Sequence, residues 1–287
     1  MQLISVVITT HNRSDLLERA IKSVLSQTYQ NLECIVVDDA STDNTKEICA
    51  GFSQVKYIHI PAEESRGGNY ARNTGIKAST GDYIAFLDDD DYWLPEKTEK
   101  QLSKINQSNA KVIYCGRVNE IIKDDGEVKY SNLYPNSFYR GDMRKKIFCS
   151  IPTTTSALFI DKSTLVNVGL FDENLIFWQE YELLIRLSQQ FEFEFVEEPL
   201  LVYRINQSDS QRLTNKFNYK SWLNNINYIK NKHKTLINSQ DLKTRLKFKL
   251  IIADDRYLRT RNSRNRQVLQ AKIYYYLYIV LCKIFAK

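Results

Sequence analysis

Two groups of carboxylates follow apolar segments directly, and their types and spacing suit them to chemistry. Asp38–Asp39 follows the segment Leu32–Val37. The run Asp88–Asp91 follows the segment Tyr83–Leu87. Four adjacent acids repel one another, so a hard divalent cation such as Mg²⁺ or Mn²⁺ would relieve the repulsion and could bridge to a phosphate. Two other interpretations are a solvated acidic loop and an Asp cap on the helix predicted to begin near Pro95.

The strands of an α/β sheet must position these acids, because each group follows an apolar run of strand length. A third such run, Leu3–Thr9, leads into a polar loop that contains Asn12. Through residue 105, strands alternate with helical segments, which predicts a parallel, doubly wound sheet whose strand ends converge on one crevice. That crevice suits a nucleotide. The chain has no GxGxxG after its first strand and no GxxxxGKS or GxxxxGKT loop, which argues against a dinucleotide site and a P-loop.

The region after residue 105 is less regular. Asp124–Gly126 is a hairpin-turn signal. Residues 140–148 are predicted to form a short helix and residues 154–160 a strand.

The composition is that of a globular protein. The chain has 287 residues, of which 43% are hydrophobic and 26% charged. Its first five residues lack a basic region, so we predict no signal peptide. The five cysteines show no CxxC spacing and the three histidines form no ligand cluster, which predicts mostly buried thiols in a reducing cytosol and no zinc site.

Charge is distributed unevenly along the chain. Residues 211–287 carry 18 Lys and Arg against three acids, a net charge of +15, so the total of +6 leaves −9 for residues 1–210. The basic region contains a ten-residue apolar run, Ile273–Cys282, which is too short to span a bilayer. Basic residues followed by a Tyr-rich helix suit a membrane interface. Packing on the rest of the chain or on a dimer partner is the alternative, and nucleic acid is a weaker one because no recognition motif is present.

Five segments resemble motifs of the family 2 glycosyltransferases, which have the GT-A fold. They are Ser5–Arg13, Gln27–Tyr29, Val36–Asp43, Ala71–Gly75 and Gly81–Asp91. The resemblance implies an α/β, Rossmann-like, mainly parallel sheet flanked by helices over residues 1–210. Residues 1–105 would form the nucleotide-sugar-binding half and residues 106–210 the acceptor half. Residues 211–287 would form a basic, mostly helical extension.

The resemblance also implies roles for individual residues. Those implied to bind the nucleotide sugar are Thr9, Asn12, Asp39, Arg72, Asp88 and Asp89. The family's DXD motif maps onto Asp88–Asp90, and Asp90 would bind Mn²⁺ or Mg²⁺ directly. Three alternatives stay open: Asp38 caps the following turn or contacts the ligand, Arg72 lies near the diphosphate or pairs with one of the acids, and the register of Asp89 and Asp91 is unassigned.

The catalytic base is expected at the start of a later helix. Family members usually have Glu-Asp there, with the Asp as base, whereas this chain has Gln179-Glu180. Glu180 therefore takes the base position with a side chain one methylene longer. The alternative is that Glu180 and Glu182 are ordinary first-turn acids favoured by the helix dipole. Arg186 is predicted to pair with an acid.

A later segment matches a family region that often carries a His, and Asn206 stands near that place. Arg204 and Arg212 are candidates for closing over the diphosphate, and a solvated loop is the equal alternative for both.

The function implied is that of an inverting, metal-dependent glycosyltransferase. It would move a sugar from a UDP-sugar to an acceptor hydroxyl, in the setting of a lipid-linked saccharide for O-antigen or capsule synthesis. We expect it in the cytoplasm, peripheral on the cytoplasmic face of the inner membrane, with no nucleic-acid partner and with a homo-oligomer possible. The alternative is a non-catalytic nucleotide-sugar- or membrane-binding module that has lost its base.

Overall fold

The computed structural model describes residues 1–209, 218–260 and 266–284, the last range without the side chains of 266–269. These residues form two compact units. The first consists of Met1–Gly141 and Thr153–Ser208. The second consists of Asp142–Pro152 and the described residues from Asp209 onward.

The first unit is built on a sheet that has nine strands within the described ranges. In chain order they are β1 (Ile4–Thr10), β2 (Leu32–Asp39), β3 (Val55–Ile60), β4 (Tyr83–Asp88), β5 (Tyr92–Trp93), β6 (Val112–Ile122), β7 (Val128–Leu133), β8 (Phe159–Asp161) and β9 (Phe193–Asn206). Their order in space is β3-β2-β1-β4-β8-β6-β9-β5, and β7 pairs with β6 outside this path. The long ladders are parallel, whereas pairs that involve β5, β7 or β8 are antiparallel.

Helices follow most strands of the first unit. They are α1 (Ser14–Leu25), α2 (Thr45–Ala50), α3 (Gly68–Ala78), α4 (Lys97–Asn106), α5 (Lys162–Val168) and α6 (Gln179–Ser188). In α1 the buried apolar residues recur at helical spacing, and this face packs against the sheet. The described helices of the second unit are α7 (Tyr219–Lys232), α8 (Lys234–Asn238), α9 (Leu242–Thr260) and α10 (Arg266–Ile284).

The predicted fold class is confirmed, including the helical carboxyl-terminal region. The hairpin predicted at Asp124–Gly126 joins β6 to β7, with Gly126 at a φ of 84°. The helix predicted over residues 140–148 is wrong: Gly141 has a left-handed φ of 67°, and only a 3₁₀ turn, Lys146–Cys149, forms. The strand predicted over 154–160 is also wrong in its first half, which forms a second 3₁₀ turn ahead of β8.

Helix α3 lies close to the sheet because Gly75 has no side chain. A Cβ atom at this position would lie 2.4 Å from Val7 Cγ1 and 3.2 Å from Val37 Cγ2. We therefore expect Gly75→Ala to lower the free energy of unfolding by about 1–3 kcal/mol, because the buried backbone would have to shift. Urea unfolding measures this. Gly51→Ala is the control, since Gly51 is exposed and has an ordinary helical φ of −69°, and an equal loss there would contradict the packing argument.

Lys97 is fully buried in α4, where its Nζ donates to Gln101 Oε1 at 2.8 Å and lies 3.8 Å from the centroid of the Trp93 ring. Burial lowers the pKa of Lys97 from 10.5 to about 8. Between pH 8 and pH 10.5, Lys97 is protonated in the unfolded chain but largely neutral in the folded one. The contribution of Lys97 to the free energy of unfolding therefore rises with pH in this range.

Lys97→Met should remove that pH dependence. As the pH rises from 8 to 10.5, we expect the free energy of unfolding of the wild type to increase relative to that of the variant by up to about 3 kcal/mol. Urea unfolding across this range measures the difference. Lys77→Met, at an exposed helix position, should follow the wild type, and parallel curves for wild type and Lys97→Met would contradict a lowered pKa.

A candidate active site at the carboxyl edge of the sheet

Three neighbouring parallel strands bring the predicted residues together. In the register of the sheet, Thr9 at the end of β1 lies beside Asp88 of β4, and Thr10 lies beside Asp38 of β2. The ends of β1, β2 and β4 therefore meet at one edge, as their sequences predicted.

The loops after β1 and β2 are tied to each other. The Asn12 backbone N–H donates to Ser41 Oγ at 2.8 Å, and Asn12 Oδ1 accepts from the Thr42 N–H at 2.7 Å. Asn12 and Ala40 both have left-handed φ values, 55° and 64°. Such strained residues persist where the surroundings hold them, which is common at functional sites. Asn12 thus fixes the shape of the edge on the side of β2.

The two acids at the end of β2 have different environments. Asp38 is buried and accepts from the Ser41 N–H at 2.8 Å and from the Tyr57 hydroxyl at 2.6 Å, so it caps the turn. Asp39 Oδ1 is also buried, but it has no hydrogen-bond partner among the described residues. Because buried polar atoms are nearly always paired, this oxygen is suited to accept a hydrogen bond from a ligand.

The four acids at the end of β4, Asp88–Asp91, alternate in burial. The side chains of Asp88 and Asp90 are 31% and 14% exposed, whereas that of Asp89 is 7% exposed and Asp91 is fully buried. Asp91 accepts from Ser156 Oγ at 2.6 Å and from the Arg204 N–H at 3.0 Å. Burial and the neighbouring charge of Asp90 raise its pKa well above the usual range. Asp91 is therefore a structural residue, whereas Asp88 and Asp90 remain partly exposed.

Arg13 joins the loop after β1 to the acid run. Its Nη1 donates to Asp89 Oδ1 at 3.2 Å and to Asp90 Oδ2 at 3.1 Å. Burial, followed by repulsion from Asp90, raises the pKa of Asp89 to about 7 despite this cation. Arg13 was not among the residues predicted to form the site. The only feature of the sequence that indicated a role for Arg13 at the site was its positive charge in a loop predicted to lie near four acids.

A divalent cation fits this edge only with help from a ligand. Within the described residues, no group of three or more His, Cys, Asp or Glu side chains is arranged to hold a metal ion. Mg²⁺ commonly binds one or two carboxylates together with substrate phosphates rather than an all-protein cage. Asp90, with Asp88 beside it, provides such a partial set of oxygen ligands.

Arg72 connects the acids to helix α6. Its Nη2 donates to Asp88 Oδ1 at 2.7 Å, and its Nη1 donates to Gln179 Oε1 at 2.9 Å. The structure thus shows the acid pairing that was one of the two alternatives for Arg72. It also gives Gln179 a function, since the neutral amide oxygen accepts from the guanidinium and fixes the start of α6.

Two asparagines of α3 hold the loop before α6. Asn69 Nδ2 donates to the Asp172 carbonyl at 2.7 Å, and Asn73 exchanges hydrogen bonds with the backbone of Phe171 at 2.9 and 3.0 Å. Trp178 follows this loop, buried and with a left-handed φ of 58°, immediately before the first turn of α6. The first turn of α6 is therefore positioned by side chains of α3.

The two glutamates in this first turn differ in availability. Glu182 is fully buried and pairs with Arg186 at 2.8 Å, so the pairing predicted for Arg186 is confirmed. Glu180 is half-buried. Glu182 is excluded as a base for an acceptor because the acceptor cannot reach it, which leaves Glu180 in this turn.

The remaining candidates lie at the end of β9. Asn206 Oδ1 accepts from the Ser208 N–H at 3.2 Å and closes a local turn. Arg204 and Arg19 both lie near Glu120, at 3.8 Å and 3.6 Å from its carboxylate. Arg19 also donates to the Asp90 carbonyl at 3.0 Å. Arg212 lies outside the described residues.

The family model that matches this chain and the relatives with similar sequences are all described as glycosyltransferases. The family model described as glycosyl transferase family 2 matches residues 5–165. An uncharacterized glycosyltransferase of Rickettsia typhi is 31% identical over 72% of this chain, and the match spans 65% of that relative, slightly under two thirds of its length. The UDP-Glc:alpha-D-GlcNAc-diphosphoundecaprenol beta-1,3-glucosyltransferase WfaP of Escherichia coli is 33% identical over 59% of this chain and 64% of its own length.

Among solved structures, residues 1–349 of S. aureus TarS in complex with UDP-GlcNAc superpose with a TM-score of 0.67. The alignment covers 94% of this chain and 79% of that one at 15% identity, which is a likeness in fold.

Proposed function

The chain belongs to glycosyl transferase family 2, and on that premise we propose that it is an inverting, metal-dependent glycosyltransferase that uses a UDP-sugar. The main support is one arrangement: a buried Asp39 oxygen, which has no hydrogen-bond partner among the described residues, lies at the same sheet edge as the partly exposed acids Asp88 and Asp90. Arg72 links that edge to helix α6, which carries Glu180.

The donor side of the site is assigned to the strand ends. Asp39 accepts a hydrogen bond from the uracil ring, and the Thr9 and Asn12 region lines the nucleoside. Asp90 would hold Mn²⁺ or Mg²⁺, which would supply positive charge to stabilise the UDP leaving group. Arg72 keeps Asp88 oriented toward the sugar, because its guanidinium occupies one carboxylate oxygen.

The acceptor side is assigned to α6. Glu180 takes the proton from an acceptor hydroxyl as that oxygen attacks the anomeric carbon of the donor. The bond to the UDP oxygen breaks in the same displacement, so the anomeric configuration inverts and an α-linked donor gives a β-linked product. Gln179 and Arg72 position this helix without adding a competing negative charge beside the base.

The acceptor is proposed to be a lipid-linked saccharide used for a cell-surface polysaccharide such as O-antigen or capsule. The name of the Escherichia coli relative supports this class, since it describes a diphosphoundecaprenol acceptor. We place the reaction at the cytoplasmic face of the inner membrane, where the protein would bind peripherally. Across the described ranges, no helix is long and apolar enough to cross a membrane.

Transfer to a defined acceptor tests this proposal. We would incubate the protein with Mn²⁺, labelled UDP-sugars and a GlcNAc-diphospho-lipid, and would determine the anomeric configuration of the product by NMR. A β-linked product from an α-linked donor is expected. An α-linked product would overturn the inverting mechanism, and UDP binding without transfer to any acceptor would favour a non-catalytic binding module.

A further inference from the structure

Helix α10 has two apolar sides. One side packs on α9, where Ala271 is buried and the rings of Tyr275 and Tyr257 stack with centroids 5.4 Å apart. The other side is exposed. It carries five large apolar residues that are each between 46% and 60% exposed, namely Ile273, Tyr276, Leu277, Val280 and Ile284.

These five residues share one face. At about 100° per residue they fall within an arc of about 100°, opposite the side that contacts α9. We call this set the exposed arc. Soluble monomers rarely leave such a continuous apolar surface in water, so its exposure indicates a partner.

Charge identifies the kind of partner. Lys272 and Lys283 are exposed and, being 11 residues apart, border the exposed arc on the same side. Residues 266–284 contain no acid, and residues 211–287 carry 18 basic residues against three acids. A positively charged border around an apolar face matches a bilayer surface with anionic headgroups, into which a helix lies without spanning.

We propose that the exposed arc of α10 is the membrane-binding surface of this protein and that its ligand is an anionic lipid bilayer. The helix lies in the interface with its five apolar side chains below the headgroups, while Lys272 and Lys283 contact lipid phosphates. This inference deepens the proposed function, on which it rests, by naming the element that brings the enzyme to a lipid-linked acceptor.

The test is co-flotation of the full chain with vesicles of phosphatidylcholine alone and with vesicles that also contain about 30% phosphatidylglycerol. We expect binding to the anionic vesicles that weakens at high salt. The double variant Leu277→Glu and Val280→Glu should reduce the bound fraction by about tenfold or more, since it places two charges in the apolar interface.

The chain offers a matched control. Val128 and Leu133 in β7 are 44% and 50% exposed, so Val128→Glu with Leu133→Glu makes the same chemical change at similar exposure elsewhere. This variant should bind vesicles like the wild type. Thermal unfolding of both variants verifies that they fold.

Three results would overturn the inference. They are no binding to anionic vesicles, equal binding by the arc variant, or a dimer by light scattering that the arc variant dissociates while vesicles are not bound. Release of UDP from a UDP-sugar, measured without vesicles, keeps the two proposals separate. Vesicle binding with neither UDP release nor Mn²⁺-dependent UDP binding would contradict the proposed function alone, and sugar transfer without vesicle binding would contradict this inference alone.

Discussion

Glu180→Gln is expected to lower the rate of sugar transfer by about 10²–10⁴-fold and to leave the affinity for UDP within about twofold of wild type. The amide has nearly the size of the carboxyl group but cannot take a proton from the acceptor. UDP affinity should be spared because the residues proposed to bind the nucleotide lie at the ends of β1, β2 and β4, not on α6. Initial rates and calorimetric titration with UDP measure the two quantities.

The matched control is Glu197→Gln, which makes the same change at an exposed position of β9 and should transfer sugar at the wild-type rate. Glu180→Asp adds a test of geometry. A side chain shorter by one methylene should reduce the rate by up to about 10²-fold, since a displacement of about 1 Å can have that effect. Wild-type transfer by Glu180→Gln would remove Glu180 from the mechanism.

Asp39→Asn should weaken UDP binding by about 10- to 150-fold, which corresponds to losing one hydrogen bond to a charged group. Asp39 Oδ1 is buried with no described partner, so removing its charge should not reduce the stability of the free protein. The free energy of unfolding is therefore expected to stay the same or to rise while nucleotide affinity falls.

The opposite change in stability is expected at the neighbouring residue, Asp38. Asp38 accepts hydrogen bonds from Ser41 and Tyr57, so Asp38→Asn should lower the free energy of unfolding by about 1–3 kcal/mol. Urea unfolding and UDP titration of both variants separate the roles. If Asp39→Asn were the less stable protein and still bound UDP normally, Asp39 would be a structural residue.

The strands that carry the site were predictable from their composition. The apolar runs before the acids predicted β1, β2 and β4 to within two residues of their observed ends. A strand of a parallel sheet that is covered on both faces must be apolar throughout, so its ends are marked by the first polar residues. The same contrast placed Thr9, Asp39 and Asp88 at one edge.

The environment of each acid was not predictable. A run of four identical residues contains no contrast from which burial can be deduced. What decides it is contact with distant residues: Asp91 is buried because Ser156 and the Arg204 backbone bind it, 65 and 113 positions later. The partner of Arg72, Gln179, is 107 positions away. Such pairings depend on strand order, which local patterns do not contain.

The irregular part of the sheet was the hardest to predict. Strand β5 consists of only Tyr92–Trp93, and β8 of only Phe159–Asp161. Strands this short are stabilised by their neighbours rather than by their own sequence, so periodicity did not predict β5 and did not give the bounds of β8. The amphipathic signal of α10 was likewise weak, because both the side that packs on α9 and the exposed arc are apolar.

The proposed donor site is tested most directly by UDP release from a panel of UDP-sugars with Mn²⁺, with and without EDTA. Wild type would be compared with Asp90→Ala and with Asp124→Ala, the same change in an exposed turn. Wild type and Asp124→Ala are expected to release UDP from at least one sugar, and that release should be lost with EDTA and in Asp90→Ala. No release from any sugar, together with no Mn²⁺-dependent UDP binding, would contradict a metal-dependent donor site at this edge of the sheet.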